Sequence, residues 1–272
     1  GGDYGHARRK PDVLRRIVIN LRRQDWTTVG VELIVVILGV FIGVQASNWN
    51  EARTADNESK VFTDRLKSDL RAEAFAYELS VAYYGQVLAN ARRAEAALSG
   101  RSEMGDEALL AAAYRATQYV TNNRHRTTWD ELGSTGNIGL IRDPGLRQLA
   151  ADVYTDTNNE WLVDDARRSP YRLEFRKLLD IPVQDALATA CGDHTGKDGD
   201  YASLAGYLDY PCDPELTPEA AAAAVHALQA DPNLLPLLRL QITTVDTNLG
   251  GLDSTNNIQL RQRLQAFAGT TR

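Results

Sequence analysis

The residues able to do chemistry are few and scattered. His6, His125, His194 and His226 show none of the spacings that hold a metal, such as HExxH or paired CxxC. Cys191, Asp193 and His194 sit near enough in sequence to suggest a metal or thiol site, but a solvated loop beside a disulfide is the plainer reading. Asp198-Gly199-Asp200 lacks the remaining ligands and the closing glutamate of a calcium loop. The run from Gly192 to Lys197 approaches a phosphate loop, yet it is one residue short and has no Ser or Thr after the lysine. Ser134, in Gly133-Ser134-Thr135-Gly136, has the composition of a nucleophile elbow, but that elbow needs a strand before it and the context here is helix and turn. Arg124-His125-Arg126 can hold a carboxylate or phosphate, or be a solvated turn in an acidic chain. The richest stretch runs from Glu131 to Asp143. Glu131, Ser134, Asn137 and Asp143 lie in a polar, glycine-rich turn of the kind that contacts ligands or partners. The competing reading is that they cap helix ends. No catalytic set assembles, no cofactor or metal is expected, and the chain reads as a protein that is not an enzyme.

Everything else is positioned by the stretch from Thr27 to Ala46. It is roughly 20 residues long with one charge, Glu32, enough at about 1.5 Å per residue to cross a hydrocarbon core of about 30 Å. Trp26 and Trp49 bracket it at the positions where interfacial aromatics belong, and Arg22 and Arg23 stand just before it. Ahead of the span are seven basic residues against three acidic ones, a balance of +4; after Glu32 there are 23 basic and 32 acidic, a balance of −9. Basic flanks stay inside, so the expected topology is a cytoplasmic N-terminus and an extracytoplasmic remainder. The rival reading is a cleaved secretory signal with Val44-Gln45-Ala46 as its cleavage site, but the apolar run exceeds a usual signal core.

Within the span, Gly39 and Gly43 form a GxxxG that Ser47 extends at i+4, a row that lets a second helix approach closely. Glycine is common in membrane helices, so the pattern also arises by chance. A contact through it suits self-association or another membrane subunit equally. Glu32 is either a functional intramembrane carboxylate or a shallow group reaching the headgroups. Residues 1–25 carry Leu14, Ile17, Val18 and Leu21 opposite arginines, a basic amphipathic segment suited to an anionic lipid surface. So short a segment leaves no room for a DNA-binding domain, and nucleic acid is not an expected partner.

The rest, residues 49–272, predicts helices throughout. From Glu51 to Leu98 there is no proline, and apolar residues recur at helical spacing, so a helix continues out of the span (26–48) and ends at Gly100. A second helix is expected from Asp106 to Val120. A third opens at Asp143-Pro144 and runs past Trp161, with Pro170 as a restart. Residues 192–216 read as a loop. Thr217-Pro218 opens an alanine-rich helix, and a last helical stretch from Leu234 to Phe267 is interrupted at Gly250-Gly251. Cys191 and Cys212 read as a disulfide in an oxidising compartment, the alternative being two buried thiols. The expected fold class is all-α, a membrane helix continuing into an elongated periplasmic bundle.

Two strings resemble a family of uncharacterised bacterial single-span membrane proteins, a domain of unknown function. One is the span from Val31 to Glu51, ending in Asn48-Trp49-Asn50-Glu51. The other is Trp129 to Asp143 followed by Leu146-Arg147, similar to that family's "EL…SGN…LI…D…LR" segment, with departures at Gly133 and Gly139. Together they cover about a sixth of the chain. The resemblance implies a bacterial inner-membrane protein with a helical extracytoplasmic domain, and it brings no catalytic residue. The function expected is a membrane-anchored periplasmic scaffold, or an accessory or assembly subunit of a membrane complex. The alternative is an extracytoplasmic small-solute sensor that signals through a partner.

Overall fold

The structure, a computed structural model, describes residues 26–121, 123–194, 196–252 and 255–269. The amphipathic segment with Arg22 and Arg23 lies outside them, as does the Trp26 side chain. The described residues are all-helical, without a strand. They form two units, dividing between Glu58 and Ser59. The first unit is described here from residue 26 to Glu58 and consists of the opening part of α1 (Trp26–Leu98). Thr27 to Ala46 carries the only window among the described helices long and apolar enough to cross a membrane, and none of it is buried.

The second unit is built around residues 59–98 of α1. Glu73 to Tyr77 are five consecutive buried residues, and Tyr83, Tyr84 and Val87 are buried below them. A helix covered on all sides at one level is a central pillar, not an amphipathic surface helix. Around it stand α2 (Asp106–Arg115), α3 (Thr127–Ser134), α4 (Pro144–Thr155), α5 (Asn158–Arg167), α6 (Pro170–Leu178), α7 (Ile181–Cys191), α8 (Pro218–Ala230), α9 (Leu234–Leu252) and α10 (Thr255–Ala268), with short 3₁₀ turns at Ile138–Leu140 and Tyr201–Gly206. One core joins Leu66, Leu70, Tyr84 and Leu88 to Leu132, Leu149, Leu162, Leu208 and Leu260. A second joins Ala91 and Ala94 to Leu110, Tyr171, Phe175, Leu187, Val225 and Leu238. The C-terminal helices return to the pillar, where the Tyr77 hydroxyl donates to the Leu252 carbonyl at 2.7 Å and Arg261 grips Glu78 at 2.7 Å.

Local chemistry fixes several helix ends. Gly100, at φ 73°, follows α1 with the left-handed turn that glycine adopts without strain. Asp143 caps α4, accepting from the Gly145 and Leu146 amides, with Pro144 at the first helical position. Thr217 caps α8 through the Ala220 amide, and Ser169 caps α6 through the Arg172 amide, so Pro170 is the restart expected.

Three boundaries differ from expectation. The second helix stops at Arg115, short of Val120, because the Thr117 hydroxyl turns back onto the Tyr114 carbonyl at 2.6 Å and the Thr117 carbonyl is taken by Arg172. The third stops at Thr155, because the Asp156 side chain accepts from Asn158 and its carbonyl from Arg124, so Trp161 belongs to a separate helix. The last stretch divides just after Gly250-Gly251 and not at them: α9 runs through both glycines to Leu252, and α10 opens at Thr255. Glycine only weakens a helix interior, by about 1 kcal/mol, and the packing of α9 on α5 and α6 outweighs that.

Candidate functional site

In the first unit the side chains from Leu33 to Val44 make one continuous apolar sleeve, its large residues between 51% and 64% exposed. Gly39 and Gly43 open a flat face in it, and a Cβ added at either meets nothing within 4 Å. Below them the Ser47 hydroxyl donates to Glu51 Oε1 at 3.2 Å, one turn on, so the polar end of the run satisfies itself along the helix. Trp49 is 69% exposed beside it, and Glu32 is exposed on the same helix. This surface has apolar area and a close-approach groove but no reacting group.

In the second unit the Glu131 to Asp143 stretch does not converge on one site. Glu131 and Ser134 lie in the last turn of α3, with Glu131 paired to Arg65 at 2.7 Å and the Ser134 hydroxyl donating to the Glu131 carbonyl at 3.1 Å. The Asn137 amide donates to the Leu132 carbonyl, and Gly136 makes the turn at φ 72°. Asp143 is occupied by the N-terminus of α4. The Ser134 and Asp143 side chains close local backbone needs, and the Glu131 side chain is spent on Arg65 of the pillar. The stretch is joined to the pillar through Ser59, whose hydroxyl donates to the Leu140 carbonyl at 2.6 Å.

Two buried polar clusters do assemble. In the first, Glu73 on the pillar faces Arg124, with Nε 3.0 Å from Oε2 and side-chain exposures of 5% and 14%. The same guanidinium donates to Glu160 Oε1 at 2.6 Å and to the carbonyls of Val153 at 2.6 Å and Asp156 at 3.1 Å. Glu73 Oε1 accepts from the His125 amide, and Tyr154 donates to the His125 carbonyl at 2.7 Å. Burial pushes the Glu73 carboxyl above the usual carboxylate range, with Arg124 pulling the other way. Arg124 therefore points into the bundle and clasps the pillar, α4 and α5 together. Of the basic triplet Arg124 alone turns in; His125 and Arg126 are exposed, and Arg126 is paired with Asp130 at 2.9 Å.

The second cluster surrounds the disulfide. Cys191 and Cys212 are bonded, with Cα atoms 5.2 Å apart, and no free cysteine remains. Arg115, buried at the end of α2, donates to the Cys191 carbonyl at 3.2 Å and lies 4.4 Å from the centre of the Tyr210 ring, on which His194 stacks at 3.7 Å. Asp193 Oδ1 accepts from Tyr83 at 2.8 Å. Burial raises the Asp193 carboxyl and lowers Arg172. Asp193 is engaged by Tyr83 and His194 by the Tyr210 ring, so the two neighbours are held by different partners. Gln86 secures the rest of the loop, donating to the Leu204 carbonyl at 2.7 Å and accepting the Leu208 and Asp209 amides at 2.7 and 3.0 Å.

Among the described residues no group of three or more His, Cys, Asp or Glu is placed to hold a metal. The buried clasps escaped the sequence reading because their partners lie from 29 (Arg124 and Val153) to 110 (Tyr83 and Asp193) positions apart. The one visible signal was Glu73 alone in the apolar run Ala72 to Tyr77. Comparison with family models, with curated proteins and with solved structures returns no match.

Proposed function

We propose that this chain is a non-enzymatic protein of the bacterial inner membrane, N-terminus inside, whose helical unit serves in the periplasm as a scaffold or accessory subunit of a membrane complex. The observation that carries the reading is the fully unburied apolar sleeve of α1 with its open Gly39/Gly43 face. Lipid covers such a sleeve, but it gains little from a flat groove, whereas a second helix gains close packing there. The Cys191–Cys212 bond accords with an oxidising compartment, and the +4 to −9 charge asymmetry with the orientation. Buried carboxylates that are clasped by arginine or phenol groups accord with a structural role rather than with turnover.

The test is size. Extracted in mild detergent, the chain should behave as a protein assembly well above the 30.0 kDa of one copy. Gly39→Leu and Gly43→Leu should reduce it to one copy. A monomeric wild type, or an assembly indifferent to both substitutions, contradicts the reading.

A further inference from the structure

A cavity of about 200 Å³ opens beside the Glu73–Arg124 clasp, lined by Arg124, Asn159, Glu160, Val163, Asp164 and Arg167. Its charges are unevenly committed. The Arg124 N–H groups are turned to Glu73, Glu160 and the carbonyls of Val153 and Asp156. Asp164 Oδ1 takes both Arg167 at 3.3 Å and Arg168 at 3.2 Å. Glu160 Oε2 and Asp164 Oδ2 accept no hydrogen bond among the described residues. At the base, Asn159 is 5% exposed and its Oδ1 has no partner. A buried acceptor without a donor is costly, and the one buried donor of the lining that makes no hydrogen bond, Arg124 Nε, is held 3.0 Å from the Glu73 carboxylate, so the open acceptors call for a donor from outside.

We infer that this cavity binds a small organic cation, an alkylammonium or short diamine. An ammonium carries three donors and no acceptor, the complement of Asn159 Oδ1, Glu160 and Asp164. Glu160 and Asp164 are four apart on α5, which sets their Cβ atoms about 5–6 Å from each other on one face, a span that one ammonium bridges. Both carboxylate side chains are nearly half exposed, at 47% and 43%, so a cation reaches them from solvent while Asn159 waits below. Val163 offers an apolar wall to a short stem. The volume lies under the roughly 300 Å³ at which drug-sized sites begin, which limits the stem to a few carbons. The inference rests on the cavity alone and stands whether or not the face of α1 recruits a partner.

The experiment is calorimetric titration of the full chain in mild detergent with 1,4-diaminobutane, n-butanol, butyrate and MgCl2. The diamine should bind at one saturable site per chain, more weakly as NaCl is raised, and the other three should not bind. Glu160→Gln with Asp164→Asn should weaken diamine binding at least tenfold, because the amides keep their hydrogen bonds to the arginines but lose the charge. Asp164→Asn alone, at a half-exposed surface position, should weaken it at least threefold and guards against a double variant that misfolds. Absence of saturable diamine binding, binding untouched by these substitutions, or binding of butyrate or Mg²⁺ in its place overturns the proposal.

Discussion

Arg124→Met keeps most of an extended stem while removing the guanidinium that ties the pillar to α4 and α5. Three consequences follow from the contacts. Glu73, 5% exposed, loses the cation 3.0 Å away. The Val153 and Asp156 carbonyls each lose a donor. Breaking a buried ion pair by removing one partner costs about 3–5 kcal/mol, and most of that range already contains the orphaned groups, so about 4 kcal/mol is expected at neutral pH. For a domain of 150–250 residues that corresponds to a loss of roughly 8–16 °C in Tm. The pH dependence has a definite sign. Burial already raises the Glu73 carboxyl in the presence of Arg124, and without the cation it rises further. A carboxylate raised on folding binds its proton more tightly in the folded state, so the stability it contributes is greatest below its ordinary value of 4.5 and is lost as pH climbs through the raised value. The penalty of Arg124→Met should therefore shrink as pH is lowered towards about 4.5, and Glu73→Gln in the same chain should recover part of it at pH 7. Urea unfolding of the full chain in detergent, followed by tryptophan fluorescence at several pH values, measures this. A cost under about 1 kcal/mol, or one independent of pH, would refute the clasp.

Three further outcomes are expected. Asp193→Asn keeps the acceptor for Tyr83 and removes a charge that burial disfavours. It should leave stability at pH 7 equal or higher, and it should flatten the decline that the wild type shows as pH rises from 3.8 through the raised Asp193 value; pH-dependent unfolding midpoints check this. Cys191→Ala with Cys212→Ala opens a 21-residue separation and should cost about 3 kcal/mol by the chain-entropy account, read by the same unfolding assay. Gln86→Leu removes three hydrogen bonds to the loop at about 1 kcal/mol each and should raise amide exchange at Leu208 and Asp209 far more than at Leu187 in the second core.

Much of the fold was legible because short-range rules governed it. Asp143-Pro144, Thr217-Pro218 and Gly100 terminate helices where their side-chain chemistry says they must. The failures share a cause. The stops at Arg115 and Thr155 depend on Arg172 and Arg124 capturing carbonyls from a distance, and no window of sequence contains both partners. The glycine pair at 250–251 looked like a breaker, yet tertiary packing outweighed a local penalty of about 1 kcal/mol per residue. The polar turn at Glu131–Asp143 drew attention because it is rich in hydrogen-bonding groups, but Ser134 and Asp143 serve the local backbone and Glu131 pairs with Arg65. The polar cavity lies instead on α5, where Asn159, Glu160 and Asp164 form no motif that singles them out in sequence.

Topology carries the account, and site-directed labelling tests it most directly. With the native cysteines bonded to each other, a cysteine introduced at exposed Glu103 and another at Arg16 can be probed with a membrane-impermeant maleimide in spheroplasts of a bacterial host. The account predicts that Glu103→Cys is labelled in intact spheroplasts and Arg16→Cys only after the membrane is permeabilised. Labelling of Arg16→Cys from outside, with Glu103→Cys protected, would contradict it.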